Sequence, residues 1–292
     1  MSQRILFFGN ERLGTGLATE VPVLQALIAA NYDVAAVVVA QNDVGQSRKG
    51  RALEIAAVAA QHNIPLIVPA KLSEARDQLA AYGAEAAVLV AYGKIVPQSI
   101  IDLFPRGIIN IHPSLLPKHR GSIPIEGVIL SGELETGVSL MRLSAKMDAG
   151  PVYAQQMVAL QGNETKQQLA DALIVLGKDM LLASLPAILA GTLEPTEQDE
   201  TFATYDNRIQ KTDGELDFTK PAVQLEREVR AYAGWPRSRT TIGTTDVIIT
   251  TAHVDPEQDG APGALWIEGK QIGLYGSEGL LILDTLIPAG KK

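Results

Sequence analysis

Through its first half the chain alternates short β-branched runs with longer stretches of helical period, the pattern of strands joined by helices into a parallel α/β sheet. "RILFFG" (residues 4–9) reads as a strand ending in glycine, followed by a helix-length segment to about Ala30. "YDVAAVVVA" gives a second strand, "RALEIAAVAAQHN" a helix closed by Asn63, and "IPLIVP" a third strand. A helix from about Ser73 to Tyr82, the strand "EAAVLVAYG", a short helix after Pro97 and the strand "GIINIH" follow, each change of period marked by Gly, Pro or Asn. These elements predict a Rossmann-like, doubly wound sheet with right-handed crossovers.

After Gly121 the period shifts. "IPIEGVILSGE" is helical, and "TGVSLMRL" and "GPVYAQQMVAL" are two strands joined around "SAKMDAG". A long helix from Thr165 to Ala190 runs into "GTLEPTEQDETFATY", which is polar and without period, the signature of a connection. Beyond it, "AVQLEREVRAYA" forms a helix stopped by "GWPRS", where Trp235 reads as an anchor, and the rest is short β-runs that suit a small barrel. The expected domains are a catalytic unit over residues 1–191, a linker over 192–206 and a smaller, OB-like β-barrel over 207–292.

Composition narrows the class. With 46% hydrophobic and 20% charged residues in 292, the chain has the makeup of an ordinary globular protein large enough for two cores. No apolar run reaches the roughly 20 residues of a membrane span, and the first residues meet charge and glycine too early for a signal peptide, so a cytoplasmic, membrane-free protein is expected. Without cysteine there is no disulfide, thiolate metal site or cysteine nucleophile. A net charge of −8 argues against a global positive field for a polyanion, yet leaves room for a local patch such as Arg48, Lys49 and Arg51 in "QNDVGQSRKGR".

Several chemistries drop out. "GNERLGTG" does not have the G-x-G-x-x-G spacing and no acid stands at the end of the second strand, which speaks against NAD; the histidines His62, His112, His119 and His253 are scattered, which speaks against a metal. What remains is polar residues at strand ends, where ligands of open α/β sheets bind. Asn110 and His112 stand two apart on one strand and share a face, Tyr92 ends another strand, and Asp148 lies in a loop backed by glycine. An imidazole can take a proton from an attacking amine, an amide N–H can donate to a developing oxyanion, and a carboxylate can orient the imidazole and favour its charged form. Such a set suits acyl transfer without a covalent enzyme intermediate.

"INIHPSLLPKHRGSIPI", "ETGVSLMRLSAKMDAGPV" and "AYGKIVP" closely resemble the formyltransferases that use 10-formyltetrahydrofolate, and "ATYDNRIQKTDGELDF" and "LEREVRAYAGWP" resemble the members of that family that act on initiator methionyl-tRNA. The resemblance covers most of the chain. It implies a Rossmann-like amino domain that holds folate, a carboxyl barrel that helps hold transfer RNA, and direct attack of the methionyl amine on the formyl carbon. It also implies Asn110, His112 and Asp148 as the catalytic trio, and Ser114, Leu115, Leu116 and Pro117 with Tyr92, Lys94 and Ile95 as folate contacts. Arg48, Lys49, Arg51 and Lys211 are implied as RNA contacts. A monomer is expected. Lys118 and Arg120 are open to either polyglutamate or phosphate, and His119 is expected at the surface. Residues 207–292 carry ten Lys or Arg against twelve Asp or Glu, so RNA on that unit requires segregated charge. Formyl transfer to an amino-sugar nucleotide and a non-catalytic folate- or RNA-binding module are the alternatives.

Overall fold

The structure, a computed structural model, describes residues 4–41 and 53–288. Its larger sheet is built from β1 (Arg4–Gly9), β2 (Asp33–Val38), β3 (Leu66–Ile67), β4 (Ala86–Val90), β5 (Ile108–His112), β7 (Glu135–Arg142) and β8 (Val152–Ala159). They lie in the order β3-β2-β1-β4-β5-β7-β8. The first five are parallel, whereas β7, which follows a helix-containing connection from β5, is antiparallel to β5, and β8, joined to β7 by a hairpin, is antiparallel to β7. The order reverses between β1 and β4, and that point fixes where a ligand crevice opens. Gly9 makes the exit from β1 possible: its φ of 121° and a Cβ that would stand 1.9 Å from the Val90 carbonyl oxygen leave room for hydrogen only.

Alternation of side chains divides the core. Ile5 and Phe7 of β1 with Val88 and Val90 of β4 join one apolar cluster, and Leu6, Phe8, Ala87 and Leu89 join the cluster on the opposite face. The first face is covered by α1 (Pro22–Ala29) and α6 (Lys166–Ala190). The 25-residue α6 is apolar and long enough to cross a membrane, yet Leu169, Leu173, Leu181, Leu185 and Ile188 are buried in this core. Thr165 and Gln168 cap its start reciprocally, and Gly191 at φ 69° ends it.

Several elements are shorter than expected. Residues 10–21 form an irregular loop, with Glu11 and Val21 at positive φ, and α1 begins only at Pro22. The third strand keeps two residues, and the helix expected over 73–82 is a 3₁₀ turn, Leu72–Ala75, running into α3 (Arg76–Ala80). α2 (Glu54–Gln61), α4 (Gln98–Ile101) and α5 (Pro124–Ser131) complete the larger unit.

The segment 192–206 lies along this unit. Thr196 bridges Val152, and β9 (Tyr205–Asp206) pairs in parallel with β6 (Arg120–Gly121), which follows β5. Then comes α7 (Ala222–Ala231) and a five-stranded antiparallel sheet of β10 (Ser238–Ile242), β11 (Thr245–Asp255), β12 (Leu265–Glu268), β13 (Gln271–Tyr275) and β14 (Leu280–Pro288). Its order, β10-β11-β14-β13-β12, leaves β10 and β12 as edges among the described residues. α7 packs on α5, and Ile209, Ala231 and Tyr232 enter the apolar cluster of the larger unit. Trp235, read as a core anchor, is instead 38% exposed, and the turn that carries it approaches Gly16 backbone to backbone.

Candidate active site

At the carboxyl ends of β1, β4 and β5 a cleft of about 380 Å³ opens, a size suited to a small organic ligand. Its wall is apolar along Leu13, Leu89, Val96 and Leu143, and polar at Asn110, His112 and Asp148. The strand dictates the pair. Ile109 and Ile111 point into one apolar cluster, so Asn110 and His112 take the other face of β5 at the point where it meets the cleft. Both are nearly buried.

His112 is oriented by a backbone group. Its Nε2 lies 3.0 Å from the His119 carbonyl oxygen. A carbonyl can only accept, so the Nε2 proton stays in place and Nδ1 is the nitrogen that exchanges protons. Nδ1 faces Asp148 Oδ1 across 3.9 Å, an ion-pair separation longer than a hydrogen bond. The other carboxylate oxygen of Asp148 accepts from the Gly121 N–H at 2.8 Å, and Asp148 itself sits at φ 47°. Asp is among the few side chains that tolerate this region.

Tyr92, Lys94 and Ile95 also line the cleft; Tyr92 is buried with its ring edge-on to Phe8, and Ile95 is 83% exposed at the mouth. Ser114, Leu115, Leu116 and Pro117 do not line it: along this stretch the lining stops at Pro113 and resumes at Gly121. The reason is local. Ser139 of β7 donates to the Ser114 carbonyl and accepts from the Leu116 N–H, and Gln155 of β8 donates to the Leu116 carbonyl, so the turn is stapled to the hairpin. Lys211 is exposed in a 3₁₀ turn outside the cleft, its carbonyl taken by Arg239. Arg48, Lys49 and Arg51 lie outside the described residues.

Two expectations for the basic turn are corrected. His119 is buried, not at the surface: its ring meets Asp206 at 3.0 Å and its N–H donates to Thr204. Burial alone would lower its pKa, but Asp206 and Glu133 outweigh it and raise the value. Arg120 is open to neither phosphate nor polyglutamate, because its fully buried guanidinium is occupied by Gln198, Glu200 and Tyr205. Lys118 is half exposed and 3.4 Å from Glu133.

Sequence reasoning missed Arg12, Lys146 and Met147, which line the cleft from the loops after β1 and β7. Arg12, Lys94 and Lys146 face a single lining carboxylate among the described residues, so this cleft is locally cationic in an acidic protein. Glu11, the neighbour of Arg12, was also missed. Its buried carboxylate accepts from the N–H groups of Val23 and Leu24 at the start of α1. Desolvation outweighs these bonds and pushes its pKa up to about 7. The folded protein thus binds the extra proton, and this contribution to stability, complete below about 4.5, is lost as pH rises through about 7. Unfolding free energies of wild type and Glu11→Gln from denaturant titrations should shift relative to each other by on the order of 2 kcal/mol, in favour of the variant, between about pH 5 and pH 8.

Comparison with known proteins follows the same division of the chain. Residues 4–185 match the family model Formyl transferase, and residues 208–292 match Formyl transferase, C-terminal domain. The chain is 35% identical to a methionyl-tRNA formyltransferase of Roseiflexus castenholzii, over 100% of this chain and 93% of that protein. It is 38% identical to one of Chloroflexus aurantiacus, over 99% and 93%. Among solved structures, an N-formyltransferase of Helicobacter canadensis in complex with folinic acid and dTDP-3-aminofucose superposes with a TM-score of 0.74 at 20% identity, covering 98% of this chain and 100% of that one. A methionyl-tRNA formyltransferase of Clostridium thermocellum gives 0.56 at 14%, covering 88% and 95%. At such identities the solved structures speak for the fold.

Proposed function

The chain belongs to the formyl transferase family, and on that premise we propose that it transfers a formyl group from 10-formyltetrahydrofolate to the α-amine of initiator methionyl-tRNA. The observation that carries this reading is that relatives named methionyl-tRNA formyltransferase match this chain from end to end, the second unit included. The cleft fits a folate: its apolar wall suits a flat heteroaromatic ring, and its polar end brings an amide, an imidazole and a carboxylate to one place.

10-Formyltetrahydrofolate supplies the formyl carbon and departs as tetrahydrofolate. As the amine nitrogen bonds to that carbon, the carbonyl π electrons move onto oxygen, where the Asn110 carboxamide and the protonated His112 Nδ1 stabilise them. The Asp148 carboxylate offers its negative charge to the imidazolium. Collapse of the tetrahedral species breaks the bond to the folate nitrogen; the protonated His112 Nδ1 gives its proton to that nitrogen and, now neutral, takes one from the new amide nitrogen, which restores the imidazolium. Because Nε2 stays committed to the His119 carbonyl, a single nitrogen serves both steps.

Residues 1–191 carry the chemistry and 207–292 help hold the RNA, with Arg48, Lys49, Arg51 and Lys211 on its phosphates. Tyr92, Lys94 and Ile95 line the folate side of the cleft, and the Ser114–Pro117 turn supports it from the hairpin. An enzyme of this kind works in the cytoplasm as a monomer. Incubation with labelled 10-formyltetrahydrofolate and, separately, methionyl initiator RNA, elongator RNA and an amino-sugar nucleotide tests the reading. Label should appear on the initiator RNA; label on the sugar alone would overturn it.

A further inference from the structure

Beyond the trio, a polar network reaches the acidic loop from behind. Gln198 lies in the segment joining the two units, and its carboxamide is held at both ends. Its Nε2 donates to the backbone carbonyls of Asp148 at 2.8 Å and Gly150 at 2.7 Å. Its Oε1 accepts from Arg120 Nε at 3.1 Å and Nη2 at 2.8 Å. A guanidinium has no acceptor, so the amide orientation is forced: oxygen to Arg120, nitrogen to the loop. Arg120 is fixed in turn, with Glu200 at 3.0 and 2.9 Å, Tyr205 Oη at 2.8 Å, and its own N–H on the Thr204 carbonyl.

Rigidity matters at this place. Asp148 occupies a left-handed conformation that its surroundings must impose, and its side chain has to reach the Gly121 N–H and the His112 ring together. We propose that Gln198 is a positioning residue for formyl transfer, clasping the carbonyls of Asp148 and Gly150 so that the Asp148 carboxylate stays beside His112. The proposal rests on the function given above. Gln198 touches no reacting atom; it acts through Asp148.

Two variants separate positioning from mere support. Gln198→Glu keeps an acceptor for Arg120 and removes the donor to the loop, while Gln198→Met removes both without adding charge and leaves Arg120 with Glu200 and Tyr205. Both should fold, with thermal midpoints close to wild type. In both, kcat should fall by roughly 10- to 100-fold, the scale of a small misplacement of a reacting group, with KM for folate and RNA little changed. The Gly121 amide proton, which reports its bond to Asp148 directly, should move upfield in Gln198→Met, while the Gly132 amide stays in place. Wild-type kcat in folded variants, a loss confined to KM, or an unmoved Gly121 resonance would overturn the proposal. A wild-type protein that does not formylate initiator RNA would instead count against the function, and the amide measurement would still decide the role of Gln198.

Discussion

Asn110→Ala and His112→Ala should each lower the rate of formyl transfer by about 10²- to 10³-fold, the usual effect of losing one oxyanion donor, while the protein folds and binds folate nearly as before. The separation follows from β5. Its packing comes from Ile109 and Ile111 on the face turned to the core, whereas Asn110 and His112 end on the cleft wall. Losing the Asn110 carboxamide removes a donor required only when charge builds on oxygen. Losing the His112 ring also breaks the bond to the His119 carbonyl, a cost of about 1 kcal/mol that a protein of this size absorbs. Single-turnover kinetics with saturating folate, alongside calorimetric folate binding, measures the two quantities apart. Retained turnover in both variants would refute the roles given to them.

The largest stability effect is expected at a site that no reading of motifs singles out. Lys166 and Glu126 are 1% and 0% exposed, with Nζ 3.4 Å from Oε1. Between them they hold the loop after β1: Lys166 donates to the Thr15 carbonyl at 2.7 Å, and Glu126 accepts from the Thr15 N–H at 3.0 Å. Burial lowers the Lys166 pKa, although Glu126 pulls the other way. Removing the cation alone strands a carboxylate whose second oxygen already lacks a hydrogen bond. Lys166→Met should therefore destabilise by about 3–5 kcal/mol, and Glu126→Gln combined with Lys166→Met should recover most of that, because a neutral pair carries no buried charge. Chemical denaturation of the single and double variants checks this; equal losses in both would show that the ion pair is not the cause.

Much of the framework was legible because it is written in short-range periodicity. β1, β2, β4 and β5 alternate between two apolar faces, α6 carries its cap and stop residues, and Asn110 and His112 share a side of one strand. Placement of the trio at a common cleft followed from strand-end logic together with family resemblance. What stayed hidden depends on contacts distant in sequence. The antiparallel turn of β7 and β8 is invisible to a pattern that reports only strand content. The segment 192–206 reads as a polar tether, yet Gln198, Glu200, Thr204, Tyr205 and Asp206 all bond to the basic turn or the acidic loop, and nothing in its composition announces partners 48 to 87 residues away. His119 and Arg120 were misplaced for the same reason: charge suggests solvent until the burying partners are known.

The seam between α5 and α7 bears on any attempt to treat the second sheet as an interchangeable module. Ile209, Ala231 and Tyr232 belong to the same oily cluster as Leu24 and Ile125, and Gly16 and Gly234 meet backbone to backbone. Splitting the gene there would leave greasy scars on both fragments and invite clumping. A chimera that borrows its tail from a cousin must bring along matching halves of that joint.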